Sequence, residues 1–330
     1  MVVGVLLIVS FAVIVAGAFV FTNAVEWAGV QLGLGHGAVG SVLAAVTTAM
    51  PESLIPVVAI ARGGQGGEIA IGAIVGAPFL LATLAMALCG ITVFVFRARR
   101  VLARPQLDRG ATARDLLVFL CALPVAVVTG VLGVPPLRFA GAVLLVAAYG
   151  AFLWKTIISA RREGGGAEPG SLLFDTTKHD PPTPFQVVAQ TLVGIGMLVG
   201  GAVLFVSCIE RLAHASGADE LILTLVIAPL ATELPELINS ITWIRQGKDT
   251  LALGNITGAM VFQSMLPVAV GMAFTDWQLT APALLAMFAA GGGAVLSLIA
   301  IRRGCRLSMP FIGCWAGLYV GGITSIIAGA

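Results

Sequence analysis

Charged residues are scarce in this chain. Asp, Glu, Lys and Arg together make up 10% of its 330 residues, whereas a soluble domain carries roughly 25%. So few charges cannot cover the surface of a water-soluble protein of this length, which excludes a cytosolic enzyme, a nucleic-acid-binding protein and a disordered protein. Aromatic residues are also few, at 7%, while 58% of residues are hydrophobic and 41 are glycine. This composition predicts a bundle of membrane helices that pack closely through small side chains.

The chain also lacks the residue patterns of a redox, zinc or proteolytic site. Its five cysteines occur singly, without C-x-x-C spacing, and we interpret them as small buried hydrophobic residues. The three histidines, His36, His179 and His214, lie far apart, so no H-E-x-x-H pair is available for a metalloprotease. We therefore expect a protein that is not an enzyme and that needs no cofactor.

Ten segments are long and apolar enough to cross a membrane, which takes about 20 mostly apolar residues. They are approximately 2–22, 37–61, 68–96, 114–133, 137–158, 186–210, 219–244, 250–274, 279–301 and 307–328. Fifteen of the 18 Lys and Arg residues fall in or beside the loops that follow the odd-numbered spans. Because basic loops stay in the cytoplasm, both termini are predicted to be extracellular or periplasmic.

A stretch rich in Gly, Pro and charge divides the spans into two sets of five. It covers residues 161–185 and is predicted to be a flexible cytoplasmic linker between a first repeat, 1–160, and a second repeat, 186–330. Since five is odd, the second set must be inverted relative to the first. The sequence thus predicts an all-α membrane protein with ten transmembrane helices in two inverted five-helix repeats, an arrangement typical of transporters.

Three acidic residues lie in the middle of predicted spans, namely Glu52, Glu233 and Glu236; the other 13 fall in loops or at span ends. A charged residue at the centre of a membrane helix costs about 2.5–3.5 kcal/mol, so it is a candidate functional residue. The alternative is a structural polar contact between helices.

These acids occur in a motif that both halves contain. Residues 47–52 read TTAMPE and residues 231–236 read ATELPE, so each half has T-x-x-P-E in its second span. Proline removes a backbone donor and frees a carbonyl of the preceding turn, which needs a cavity or protein to satisfy it. Each motif therefore offers a hydroxyl, a free carbonyl and a carboxylate, the hard oxygen ligands that suit Ca²⁺. The following spans match as well, with glycines four apart at 72 and 76 and at 254 and 258.

The two motifs resemble the inverted α-repeats of the sodium/calcium exchanger superfamily of cation/Ca²⁺ antiporters. Those repeats read G-T-S-L-P-E and are followed by a helix with G-N-x-x-G-S-N-x-F-N or -D. The second repeat here, about 228–266, is a close match, with ATELPE followed by LALGNITGAMVFQ. The first, about 44–82, is weaker, with TTAMPE followed by AIGAIVGAPFLL.

The resemblance implies roles for individual residues. Glu52 and Glu236 correspond to the paired Ca²⁺-binding carboxylates, and Thr48 and Thr232 to neighbouring cation ligands. The further ligands implied are Asn255, at the G-N position, and Gln263, at the final acidic or amide position.

Several positions depart from the family pattern. The serine of T-S-x-P-E is Ala49 in the first repeat and Glu233 in the second, and the final amide of the first repeat is Leu81. The serine of G-S is alanine in both repeats, and the first-repeat asparagine is Ala73. In the family these serines and amides help to bind Na⁺, so their loss questions Na⁺ as the driving ion.

Glu233 adds a third carboxylate to the predicted site. It precedes Glu236 by three residues and so lies on nearly the same helix face. Three carboxylates in one desolvated site cannot all stay ionised without cations, and they titrate as a coupled set. Two neutralise one Ca²⁺, and the third leaves room for a proton or a monovalent ion. The alternative for Glu233 is a hydrogen bond to a neighbouring helix.

These observations predict a secondary antiporter that exchanges Ca²⁺ for Na⁺, H⁺ or both by alternating access. An antiporter for another divalent ion such as Mg²⁺, or less favourably a cation channel, is the alternative. The expected partners are these ions and the lipid bilayer, with no nucleic acid and no obligate protein partner. We expect a multi-pass protein of the cell membrane, in a prokaryotic inner membrane.

Overall fold

A computed structural model describes residues 2–31, 50–64, 66–96, 108–163, 171–175, 182–304 and 307–328. These residues are organised in helices, and the described ranges contain no strand. The helices are α1 (Val2–Gln31), α2 (Met50–Arg62), α3 (Gly66–Phe96), α4 (Arg109–Leu132), α5 (Pro135–Glu163), α6 (Pro184–Ser216), α7a (Glu220–Thr232), α7b (Leu234–Arg245), α8 (Asp249–Phe274), α9 (Ala281–Arg302) and α10 (Met309–Ala328).

Nine stretches within the described ranges are long and apolar enough to cross a membrane, with α7a and α7b counted together. Each corresponds to one of the predicted spans. For the remaining predicted span, 37–61, only α2 is described, and residues 37–49 lie outside the described ranges. The all-helical membrane architecture is thus confirmed, whereas the tenth span, the inversion of the two halves and the side of the termini stay predictions.

Short polar side chains mark where several helices begin. Asp108 caps α4, because its Oδ1 accepts hydrogen bonds from the amides of Gly110 at 2.9 Å and Ala111 at 3.0 Å. Asp219 caps α7a in the same way through the amide of Ile222, at 3.1 Å. Each carboxylate satisfies amides that have no partner inside the helix. The chain therefore enters α4 at residue 109, five residues before the predicted start of that span.

Helix α8 lies at the centre of the bundle, where it contacts α2, α3, α4, α5 and α7b. Helix α3 packs tightly against α7a. A side chain at Gly72 would lie 2.5 Å from the Leu221 carbonyl oxygen, and one at Gly76 would lie 2.3 Å from the Leu225 carbonyl oxygen. These two glycines therefore let the backbones touch, as predicted from their spacing. A Cβ atom added at Gly254 or Gly258 would lie within 4 Å of no described atom apart from its own helix, so the second pair shows no such close approach.

Helices α1 and α6 form a second close pair at the side of the bundle. Here Gly194 and Gly201 of α6 face α1, whereas a Cβ atom added at Gly196 or Gly200 would lie within 4 Å of no described atom apart from its own helix. A Cβ atom on Gly194 would lie 2.8 Å from the Cα of Phe21. Because that neighbour is backbone, it cannot rotate away as a flexible side chain would.

We predict that Gly194→Ala separates α1 from α6 and lowers stability by about 1–3 kcal/mol, the usual cost of overpacking. Gly196→Ala, two residues away on the same helix, is the matched control and should change stability by less than about 0.5 kcal/mol. Apparent melting temperatures of the two purified variants in detergent provide the comparison. Equal melting temperatures would contradict the close approach of the two helices.

Candidate cation-binding site

The seventh span is interrupted at Glu233, which separates α7a from α7b. Its amide still donates to the Pro229 carbonyl at 3.0 Å, and its own carbonyl accepts from the Leu237 amide at 3.0 Å. Pro235 follows in the first turn of α7b and has no amide hydrogen, so the carbonyl four residues earlier receives no helical hydrogen bond from it. The break positions Glu233 and Glu236 together inside the bundle.

Glu52 lies in the first turn of α2. Pro56 occupies the interior of the same helix, so the Glu52 carbonyl loses the hydrogen bond that residue 56 would otherwise donate. Residue 52 thus offers two kinds of oxygen, its side-chain carboxylate and a backbone carbonyl that lacks its helical hydrogen bond. Thr48, the other ligand predicted in the first T-x-x-P-E motif, lies outside the described residues.

The structure brings three of the predicted ligands into one cluster. Glu52, Glu233 and Glu236 each contribute a carboxylate oxygen, and these oxygens all lie within 4.8 Å of one another. The three residues are only 6%, 0% and 2% exposed. The glutamates of the two Pro-Glu motifs and Glu233 thus lie together, while their role as cation ligands stays a prediction.

Several oxygens of this cluster, and one of Gln263 beside it, are buried without a hydrogen-bond partner. They are both carboxylate oxygens of Glu52, Oε2 of Glu233, Oε2 of Glu236 and Oε1 of Gln263. Buried polar atoms in folded proteins are normally paired, so such a group requires an explanation. Among the described Lys and Arg residues none is buried. Within the described part of the chain, protons or bound cations are therefore the available charge compensation for the cluster.

Hydrogen bonds hold Glu233 from two sides. Its Oε1 accepts from Nε2 of Gln263 on α8 at 2.8 Å and from the hydroxyl of Thr232 at 3.3 Å. The Thr232 hydroxyl also lies 3.3 Å from the Ala228 carbonyl, four residues back in α7a. Glu233 thus makes the interhelical hydrogen bond that we considered as its alternative role. Its other oxygen, Oε2, stays buried without a hydrogen-bond partner. The two roles are compatible in one side chain.

Asn255 occupies a supporting position beside the cluster. Its Nδ2 donates to the Glu236 carbonyl and to the Ser240 hydroxyl, each at 3.4 Å. Ser240 in turn donates to the Ala252 carbonyl at 3.1 Å. These bonds link α7b to α8 and fix the backbone that carries Glu236. The structure thus shows a positioning contact for Asn255, and its role as a direct cation ligand stays a prediction.

One buried acid was misplaced by the sequence interpretation. Asp115 was assigned to a span end, yet it is 6% exposed and lies almost two turns inside α4. Its Oδ2 accepts from the hydroxyl of Thr257 on α8 at 3.1 Å, and its Oδ1 pairs with Arg114 at 3.3 Å. The arginines between 97 and 114 suggested a loop there, whereas the Asp108 cap starts the helix earlier. Asp115 links α4 to the helix that carries Gln263.

A curated protein is similar to part of this chain. The chain is 32% identical over 152 residues to "Putative antiporter CaxA" of Alkalimonas amylolytica, a match that covers 40% of this chain and 46% of that relative. The chain thus spans about half the length of this curated relative.

Solved structures share the fold over nearly the whole chain. The crystal structure of the H⁺/Ca²⁺ exchanger CAX superposes with a TM-score of 0.72 at 17% identity, covering 99% of this chain and 88% of that one. A structure of the sodium-calcium exchanger NCX_Mj superposes with a TM-score of 0.61 at 18% identity, covering 98% of both chains. At these identities the superpositions establish a common fold.

The sequence profile of a single family matches both halves of the chain. The family is described as sodium/calcium exchanger protein, and the matched residues are 2–158 and 187–325. These ranges include α2, α7a, α7b and α8, the helices that build the carboxylate cluster. The chain therefore belongs to the sodium/calcium exchanger family.

Proposed function

We propose that this protein is a secondary active antiporter that exchanges Ca²⁺ for H⁺, Na⁺ or both across a prokaryotic cell membrane. The observation that carries the proposal is the buried cluster of Glu52, Glu233 and Glu236, whose oxygens lie within 4.8 Å of one another and include several without a partner. A site made only of oxygen atoms, with up to three negative charges, suits a hard cation. Family membership supports the same conclusion.

The spacing of the cluster is compatible with Ca²⁺. Oxygens that bind Ca²⁺ lie about 2.3–2.6 Å from the ion, so ligands on opposite sides are separated by roughly 5 Å. Mg²⁺ has shorter bonds of about 2.0–2.1 Å, so ligand oxygens on opposite sides of this ion are separated by only roughly 4 Å. Mg²⁺ also retains several of its water ligands. We propose Glu52 and Glu236 as the main ligands, with Gln263 Oε1 and Thr232 as further oxygen donors. Thr48 and Asn255 remain predicted ligands.

The counter-ion follows from the number of carboxylates. Two carboxylates compensate one Ca²⁺, and Glu233 supplies a third that can carry a proton or pair with a monovalent ion. At several positions where the family uses Na⁺ ligands this chain has apolar residues; of these, Ala73, Ala77 and Leu81 are buried, and Ala259 is partly buried. These substitutions favour H⁺ as a counter-ion. Ca²⁺ and protons would then compete for the same oxygens, and this mutual exclusion couples their transport.

Transport also needs the site to face each side in turn. We propose two inverted repeats, 1–160 and 186–330, joined by a cytoplasmic linker at 161–185, with both termini outside the cell. In this arrangement α1 and α6 move as a gate past the helices that hold the carboxylates. The glycines of α6 that contact α1 support a sliding interface, because they have no side chains that could interlock with those of α1.

Flux measurements in proteoliposomes test the proposal. With Na⁺ and pH gradients imposed separately, we expect a pH gradient alone to drive ⁴⁵Ca²⁺ uptake, with saturation and with proton counterflow. Uptake that follows a Na⁺ gradient and ignores the pH gradient would refute the proton part and retain the antiporter. Non-saturable Ca²⁺ leak without counterflow would indicate a channel, and selective Mg²⁺ exchange would indicate the other divalent antiporter.

A further inference from the structure

A deep apolar groove runs along the outside of the bundle, between α2, α5 and α8. Its volume is about 730 Å³, and fourteen of its fifteen lining residues are apolar, with Ser53 the exception. One end reaches Ser53 and Pro56 on α2, directly after Glu52 in the sequence. The groove lies outside the carboxylate cluster and has no role in the exchange mechanism described above.

The walls of the groove are open to the surroundings of the bundle. Phe139 is 50% exposed and Val143 is 70% exposed on α5, and Phe274 is 70% exposed at the end of α8. These helices are long and apolar enough to cross a membrane, so their exposed apolar faces contact lipid rather than water. The molecules that reach the groove are therefore lipids, and an acyl chain matches its apolar lining.

A positively charged side chain lies beside one end of the groove. Arg138, in the first turn of α5, lies next to the lining residue Phe139, and its guanidinium carbon is 5.5 Å from the centre of that ring. The Arg138 side chain is only 15% exposed, and its Nε is buried without a hydrogen-bond partner. A buried donor of a charged group that lacks a partner is costly, so this nitrogen indicates an anionic ligand.

The acid nearest to Arg138 does not satisfy it. Asp276 Oδ1 lies 3.9 Å from Nη1, beyond hydrogen-bond distance, and the Asp276 side chain is 96% exposed. An ion pair with a partner as exposed as Asp276 contributes little. Asp276 follows the lining residue Phe274 by two positions. Arg138 and Asp276 therefore lie at the end of the bundle where α5 begins and α8 ends.

We propose that the groove binds one anionic phospholipid, with its phosphate on Arg138 and an acyl chain extending along α2 toward Ser53. Guanidinium groups bind phosphate oxygens through paired, charge-assisted hydrogen bonds. The groove supplies the apolar half of the site and Arg138 the polar half. The bound chain would cover α2 immediately behind Glu52. This inference depends on membrane insertion and not on which ions are exchanged.

Native mass spectrometry of the full-length protein, titrated with phosphatidylglycerol or phosphatidylcholine after delipidation, tests the proposal. We expect one phosphatidylglycerol to bind about tenfold more tightly than phosphatidylcholine, because phosphatidylcholine carries the same phosphate together with a choline cation that offsets its charge near Arg138. Arg138→Gln should remove this preference, and Arg138→Lys should retain part of it. Arg303→Gln, an exposed arginine just after α9, is the matched control and should behave as wild type.

A second pair of variants tests the apolar half of the site. Ala147→Trp fills the groove from an exposed position on α5 and should lower phosphatidylglycerol binding by roughly tenfold. Leu144→Trp adds a bulky side chain on the same helix outside the groove lining and should leave binding unchanged. Equal binding of both lipids by the wild type, or unchanged binding in Arg138→Gln or in Ala147→Trp, would overturn the proposal.

Discussion

Glu52→Gln and Glu236→Gln should each abolish Ca²⁺ transport and weaken Ca²⁺ binding by more than about a hundredfold. Removing one partner of a buried ionic interaction costs about 3–5 kcal/mol, because the remaining charge is left uncompensated in a desolvated site. Glutamine keeps the size of the side chain and one carbonyl oxygen, so the loss reports the missing charge. Ca²⁺-dependent melting temperature measures binding without requiring transport.

The same measurement separates loss of binding from loss of folding. Saturating Ca²⁺ should raise the melting temperature of the wild type, since a ligand that binds the folded state stabilises it. The two variants should melt at or above the Ca²⁺-free wild-type temperature and should not respond to Ca²⁺. Glu68→Gln, at an exposed position on α3, is the control and should retain the response. A full Ca²⁺ response in Glu52→Gln or Glu236→Gln would remove these residues from the site.

Glu233→Gln should change the coupling between Ca²⁺ and protons. If Glu233 carries an exchanged proton, Ca²⁺ binding to the wild type displaces that proton, and binding weakens as pH falls because protons and Ca²⁺ compete. Glutamine can still accept the hydrogen bond from Gln263, whose Nε2 lies 2.8 Å from Glu233 Oε1, so the local packing is kept. The variant should release about one proton fewer for each Ca²⁺ bound and should show a flatter pH dependence.

Isothermal titration calorimetry in buffers of different ionisation enthalpy counts the released protons. Gln263→Glu provides a further comparison, because it places a fourth carboxylate beside Glu233 and should increase the number of protons bound in the absence of Ca²⁺. Identical proton release by the wild type and Glu233→Gln would show that Glu233 only holds α8 through its hydrogen bond.

The sequence predicted the acidic cluster because its signal is local. The Pro-Glu pairs identify Glu52 and Glu236 without any knowledge of how the helices pack. Glu233 stands out because it is a charged residue in an apolar span. The contacts of the amides were not predictable in this way. Whether Gln263 donates to Glu233, or Asn255 to the Glu236 carbonyl, depends on how α7b and the residue before it are aligned with α8, which no spacing within one helix determines.

Other features depended on tertiary structure or on helix ends. The burial of Asp115 was missed because the basic residues before it suggested a loop, while the Asp108 cap extends α4 by a turn. The spacing of Gly72 and Gly76 correctly predicted close packing, but not that α7a would be the partner. The groove at Arg138 arises from three helices that are distant in sequence, so no motif indicates it.

The position of bound Ca²⁺ in a crystal of this protein, located by anomalous scattering, tests the proposed cation site most directly. We expect one strong peak inside the bundle, about 2.3–2.6 Å from carboxylate oxygens of Glu52 and Glu236, that disappears in Glu236→Gln. A crystal in saturating Ca²⁺ without a peak at these carboxylates, or with the ion bound at another place in the transmembrane region, would contradict it.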